Sequence, residues 1–321
     1  MDIRTFIQIP NIAVWDAKKQ GNTFIKIYGD KIIHILSYLD VHTDRLGIVK
    51  FTLEDMVSSC GLASRSGKGN SNNQFAYILD DLLSKDIITI ISGDYKKSKN
   101  LVSCILKMPV GKSEWFPMFH DDYKKIIDDN LDRLILLNVY SYVAARLRRP
   151  TKDKEGKAVE DIVECMYVDY ITFSDDLDIT EATLNKYLVQ LRKLGIIYYD
   201  SIGLIKKHDY SHEANNVYCL DKDMLPRALG NSSLYYKEEG FTILGKKTSK
   251  EMIAINGLAS RIAQLKKDGK DTSKLEKKLA TIEKNKKAKK KVIPENNIHE
   301  EVTPLPKMKY ENKPDIFGMF V

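Results

Sequence analysis

Two stretches of this 321-residue chain carry the same order of elements, and that repetition constrains the fold more than any single motif does. In the first, Ile32, Ile33, Ile35, Leu36 and Leu39 give the i, i+3, i+4, i+7 spacing of a buried helix face, from Asp30 to about Leu39. GIVKFT follows as a short strand. Thr52 then opens LEDMVSSC in the manner of a capping box, with Asp55 in the place of Glu, and Gly61 ends that helix. A polar loop, ASRSGKGNSNN, leads into a helix from about Asn72 to Lys85 with Phe75, Ile78, Leu79, Leu82 and Leu83 on one face. IITII at 87–91 and LVSCILKM at 101–108 read as strands, joined by the lysine-rich turn GDYKKSKN.

The order then returns. Residues 130–149 form a helix ended by Pro150, and after the charged loop TKDKEGKAVED come the strand MYVDY, the short helix SDDLDI and the helix TEATLNKYLVQLRKLG. IIYYDSIGLI, the polar loop KKHDYSHEANN and the strand NVYCL close the repeat. Aligning Ile87 with Ile196 places Leu79 on Leu188 and Leu82 on Leu191. Helix, strand, helix, helix, strand, loop, strand looks like a winged helix: a helix-turn-helix extended by a β-hairpin wing. The expected fold class is α+β, mainly α. Residues 1–110 form a first winged-helix domain, opened by a strand at 5–14 that Pro10 confines to an edge or an end. Residues 111–230 form a second such domain.

From residue 231 the character changes. Helices at 248–267 and 273–285 are joined by KKDGKD. Their stripes Leu258, Ile262, Leu265 and Leu275, Leu279, Ile282 suit an antiparallel hairpin, assigned to residues 231–291. Residues 292–321 read as a disordered linker with an apolar end. Charge follows this division. Residues 245–291 hold 16 Lys and Arg against 5 Asp and Glu, and residues 292–321 hold 3 against 5, so of the chain's +7 the first 244 residues carry −2. A near-neutral body with a basic arm argues against a uniformly basic DNA-coating protein. With 43% apolar residues a core is expected. No apolar run approaches the roughly 18 residues that cross a bilayer. The start MDIRTFIQIP has no secretory pattern, so a cytosolic protein is expected.

The second repeat carries the sharpest motif. Thr180 stands at an N-cap position, and Leu184, Leu188 and Leu191 face inward. Thr183, Asn185, Lys186, Gln190 and Lys193 are left on or near the outer face. Asn and Gln pair with adenine edges, Lys with guanine or phosphate, and Thr with phosphate or a thymine methyl, so these residue types suit major-groove reading. In the first repeat the equivalent helix offers Asn73, Tyr77, Asp80 and Asp81, whose adjacent carboxylates would repel phosphate. Arg65 and Lys68 before it, and Lys96, Lys97 and Lys99 in the wing, are candidate backbone contacts. Lys286, Lys287, Lys289, Lys290 and Lys291 are nonspecific phosphate binders by composition.

Enzyme signals are poor, and neither a cofactor nor a metal is expected. GKS at 111–113 lacks the P-loop glycine, since Leu106 stands five residues earlier. HExxH and GxSxG motifs are absent. The four cysteines lie at 60, 104, 165 and 219, which excludes a zinc finger and leaves four buried thiols. The six histidines are scattered, with no His-x-His pair beside a tyrosine, which argues against a rolling-circle nickase.

Tandem winged-helix units, a second recognition helix such as TEATLNKYLVQLRKLG and a basic tail resemble the plasmid and phage replication initiators of low-GC Gram-positive bacteria. The resemblance covers about residues 5–222 and lies in architecture. It implies double-stranded DNA as partner, one unit that dimerises and one that reads repeated origin sites. The Asp80/Asp81 pair fits the first unit as the dimerising one. It further implies recruitment of a host helicase or primosome protein, for which Phe317, Met319 and Phe320 are the candidate contacts. A transcriptional regulator of the same fold and a primosome-type protein adaptor are the alternatives.

Overall fold

A computed structural model describes residues 6–16, 23–108, 115–148, 162–208, 210–246, 258, 261–262, 265–266 and 272–280. Its compact body runs to Lys247, and the residues from Thr248 form a second unit. The body is α+β.

The first repeat is built from α1 (Phe24–Tyr28), α2 (Ile32–Val41), β1 (Ile48–Phe51), α3 (Leu53–Ser59), α4 (Ser71–Ser84), β2 (Ile88–Ser92) and β3 (Val102–Leu106). Thr52 caps α3 as its sequence suggests, its hydroxyl accepting from the Asp55 N–H at 3.1 Å. The strands pair antiparallel in the order β1-β3-β2.

The second repeat uses α5 (Arg133–Arg146), β4 (Met166–Val168), α6 (Tyr170–Asp176), α7 (Glu181–Lys193), β5 (Tyr198–Asp200) and β6 (Asn216–Cys219), with sheet order β4-β6-β5. Strand order and direction therefore match the first repeat. The turns after the long helices match as well. Ile87 N–H reaches Leu82 O (2.9 Å) and Ile196 N–H reaches Leu191 O (3.0 Å), across Asp86 and Gly195 at φ 55° and 69°. These are the same left-handed helix stop.

Several elements depart from the sequence reading. A two-stranded ribbon pairs β7 (Phe6–Pro10) with β8 (Trp115–Phe119), and α8 (His120–Ile127) follows it. The supposed polar loop at 206–216 is largely a hairpin, β9 (Leu204–Lys207) with β10 (Tyr210–Glu213). The chain then forms α9 (Leu225–Glu238) and returns as β11 (Thr242–Gly245), which pairs with β9. Residues 231–245 thus complete the second repeat rather than open a helical hairpin.

The boundary expected at residue 110 separates sequence repeats but not cores. One buried cluster runs from Ile7 through Leu79 and Val139 to Leu188 and Tyr218. Its centre is α5, buried on nearly every side from Leu134 to Ala145, as a helix apolar all round must be. All four cysteines are buried thiols, and burial pushes those of Cys60 and Cys104 up to about 11 and that of Cys219 up to about 12. In the second unit residues 273–280 are helical, and Lys266 Nζ lies 2.8 Å from Glu276 Oε1. The remainder of the two expected helices lies outside the described residues. Among the described residues no helix is long and apolar enough to cross a membrane.

Candidate nucleic-acid interface

Helix α7 seats Leu184, Tyr187, Leu188 and Leu191 in the core, packed on α5 and α6. Its start is fixed by Thr180, whose hydroxyl accepts from the Thr183 N–H (3.2 Å) and meets the Thr183 hydroxyl at 2.8 Å. The opposite face presents Asn185, Lys186, Val189 and Lys193, all exposed, at i, i+1, i+4 and i+8. Tyr170 OH, at the start of α6, donates to Asn185 Oδ1 at a long 3.5 Å. Glu181 already occupies the first turn, so the positive end of the helix dipole is partly answered before any phosphate arrives.

Gln190 departs from the expected outer face. It is half-buried and donates from Nε2 to Asp129 Oδ2 at 2.6 Å, so its amide is held inside the protein and is not presented to a base edge. Thr183 is half-buried and engaged in the cap. Arg192, which the sequence reading passed over, is exposed and lies 5.6 Å from the ring centre of Tyr199. Its place in the last turn beside Lys193 was the available signal.

In the first repeat the loop before α4 is pinned by buried Asn72, which accepts from Ser64 Oγ (3.0 Å) and whose N–H reaches Arg65 O (3.1 Å). Pinning brings Lys68 and Asn73 to one open cleft of about 450 Å³, shared with Tyr28, Lys31, Gln74 and Tyr77. Tyr77 stands 69% exposed at the position equivalent to Lys186. Arg65 is exposed but does not line that cleft.

The acidic pair on α4 does not point freely at solvent. Asp80 accepts from Tyr95 OH (2.5 Å) and pairs with Lys96 (3.2 Å). Asp81 accepts from Tyr28 OH and pairs with Lys85 at 2.6 Å. Lys85, then Tyr28, holds the Asp81 carboxyl below the ordinary carboxylate range. The repulsion expected from this pair is therefore compensated within the repeat, and Lys96 is committed to Asp80. Lys97 and Lys99 remain exposed on a turn anchored by the buried Tyr95 ring.

Lys286, Lys287, Lys289, Lys290 and Lys291, and Phe317, Met319 and Phe320, lie outside the described residues. No protein-family model matches the chain, and neither the curated proteins nor the solved structures contain a significant match to it.

Proposed function

We propose that the chain is a sequence-specific double-stranded-DNA-binding protein made of two winged-helix units, which initiates plasmid or phage replication by binding origin repeats and recruiting host replication factors. The observation that carries the reading is α7. It is the second helix after a short strand and a short helix, with its apolar side buried and Asn185, Lys186 and Lys193 facing out. A helix in that setting enters a major groove with its outer side chains at base edges and phosphates. The hairpin β9–β10 then serves as the second wing, with Lys206 exposed on it. Lys68 and Asn73 on the first repeat, with Lys97 and Lys99, would hold flanking phosphates.

The test is footprinting of the full chain on the DNA surrounding its own gene. Protection of an AT-rich repeat array supports an initiator, whereas a single promoter palindrome supports a regulator. Lys186→Ala should weaken binding by about 1–3 kcal/mol. Gln190→Ala should leave the ranking of DNA sites unchanged, since its amide is bound to Asp129. No protection anywhere, or unaltered affinity in a Lys186→Ala, Lys193→Ala double variant, refutes the reading.

A further inference from the structure

Beneath α9 the second sheet carries two cysteines side by side. Val217 pairs with Tyr167 and Tyr218 with Met166, and one further step in this antiparallel register sets Cys219 opposite Cys165. The Cys165 backbone turns the other way, its carbonyl accepting from the Arg148 N–H at 3.1 Å. Cys165 and Cys219 therefore form a non-hydrogen-bonded cross-strand pair, in which Cα atoms stand about 4.5 Å apart and Cβ atoms come closest. That lies within the span of about 4.4–6.8 Å that a disulfide bridges without backbone movement. The two side chains also share a face. Val163, Cys165, Val217 and Cys219 make one buried cluster with Ala228 of α9, while Met166, Val168 and Tyr218 turn into the main core.

The first repeat has no such pair. Matching Phe51 with Val168 sets Ile48 and Ile105, which pair across β1 and β3, in the places of Cys165 and Cys219. Cys104 pairs with Val49 and Ile90 on its neighbouring strands, and Cys60 closes α3 with its thiol on Val57 O (3.1 Å).

Helix α9 covers the two thiols with little apolar surface. Leu225, Ala228 and Leu229 pack against them. Ser232 is buried, with a hydroxyl that finds no hydrogen-bond partner among the described residues. An orphaned hydroxyl and a small-residue face hold a helix weakly, so α9 belongs to the parts of a structure that open first. With α9 in place the thiols stay protonated. Burial, then Cys165, raises the Cys219 thiol to about 12. Burial raises that of Cys165 as well, against Tyr167 and then Arg148.

We propose that Cys165 and Cys219 are a redox-sensitive dithiol, which hydrogen peroxide closes into a cross-strand disulfide when α9 lifts. Once wetted, a thiol titrates at about 8.5, and its thiolate attacks the peroxide O–O bond. The product is a sulfenic acid, and the hydroxide released takes up the proton that the thiol shed and leaves as water. The second sulfur then attacks the sulfenic sulfur, and its proton leaves with the displaced hydroxide as a second water. The sulfurs are oxidised by two electrons and the peroxide is reduced by the same two. The bridge ties β4 to β6 on the sheet face away from the core that seats α7, so the proposal goes beyond DNA binding and does not rest on it.

The full chain, reduced and freed of reductant, is held in hydrogen peroxide, quenched, unfolded and alkylated. Two of the four thiols should be lost, a peptide map should link Cys165 to Cys219, and dithiothreitol should restore both. Leu229→Ala, which loosens α9, should close the bridge about tenfold faster. Cys60 and Cys104 should stay protected in that variant, which global unfolding would not allow. Ser232→Ala removes the orphaned hydroxyl and should slow closure about fivefold. Three outcomes overturn the proposal. The first is four free thiols at a time when peroxide has already oxidised the urea-unfolded chain. The second is a sulfinic acid without a bridge, or a bridge that includes Cys60 or Cys104. The third is a closure rate that neither α9 variant moves, which would detach the chemistry from α9.

Discussion

The two repeats fold to one topology and spend their surfaces differently. On α4 the outer side chains are an exposed tyrosine and two aspartates tied to Tyr28, Lys85, Tyr95 and Lys96. On α7 they are Asn185, Lys186 and Lys193. On the outer sheet face Ile105 of the first repeat is 39% exposed, whereas Val217 and Cys219 of the second are buried against α9. What the repeats share is what folding requires: matched leucines, matched helix stops and matched register. Where burial does not constrain a position they diverge, and those positions are where binding chemistry is to be sought.

The largest effects should come from the shared leucines. Leu79 and Leu188 are each fully buried at equivalent sites in a single cluster. Leu79→Ala and Leu188→Ala should each cost about 2–5 kcal/mol. Because one core joins the repeats, both variants should shift a single cooperative urea transition. A second transition, moved by only one of the substitutions, would show that the repeats are independent domains after all.

Acid should distinguish the repeats next. His34, fully buried in the first repeat, donates from Nε2 to Met56 O (2.9 Å) and accepts at Nδ1 from Tyr123 OH (3.3 Å). Burial chiefly, then His42 and Arg133, lowers its pKa to about 4, against the partial support of the Met56 carbonyl. The unfolded chain therefore takes up this proton more readily than the folded one. Stability should be intact above about pH 6.5 and fall by about 1.4 kcal/mol per pH unit down to about pH 4. Urea midpoints at pH 7, 5.5 and 4.5 measure this, and His34→Gln should flatten the slope. An equal slope in that variant would place the acid sensitivity elsewhere.

The helices with a clear 3.6 period were legible in sequence because their leucines and isoleucines alternate with plainly polar residues. Helix α9 was not. Its buried side includes Ala228 and Ser232 beside Pro226, Gly230 and Asn231, a faint stripe that only the sheet beneath it makes apolar. Strand β10, Tyr-Ser-His-Glu, carries no hydrophobic alternation and owes its form to ladder pairing with β9. On α7, helical phase correctly exposed Asn185, Lys186 and Lys193. It misplaced Gln190 because Asp129, 61 positions earlier, takes the amide. Asp80 and Asp81 were misjudged for the same reason, since the phenols that donate to them come from the β2–β3 turn and from α1. Long-range polar pairing leaves no periodic trace.

The smallest effect concerns the shared helix stop. Gly195 sits at φ 69°, where a Cβ would meet only Tyr198 OH, at an ordinary 3.4 Å. Gly195→Ala therefore tests conformation with little clash, and should cost about 1 kcal/mol. Asp86 holds the same conformation at φ 55° with a side chain present. Its carboxylate takes Lys107 Nζ at 2.8 Å and Thr89 Oγ1 at 3.1 Å, contacts that keep its pKa low, with Lys107 the first cause. Asp86→Gly would remove the left-handed strain and lose these exposed contacts together. It would also free the unfolded backbone, so the opposing terms should leave the urea midpoint unmoved. If Asp86→Gly destabilises as much as Gly195→Ala, the Lys107 and Thr89 contacts hold the first turn, and the two stops are alike in geometry but not in cause.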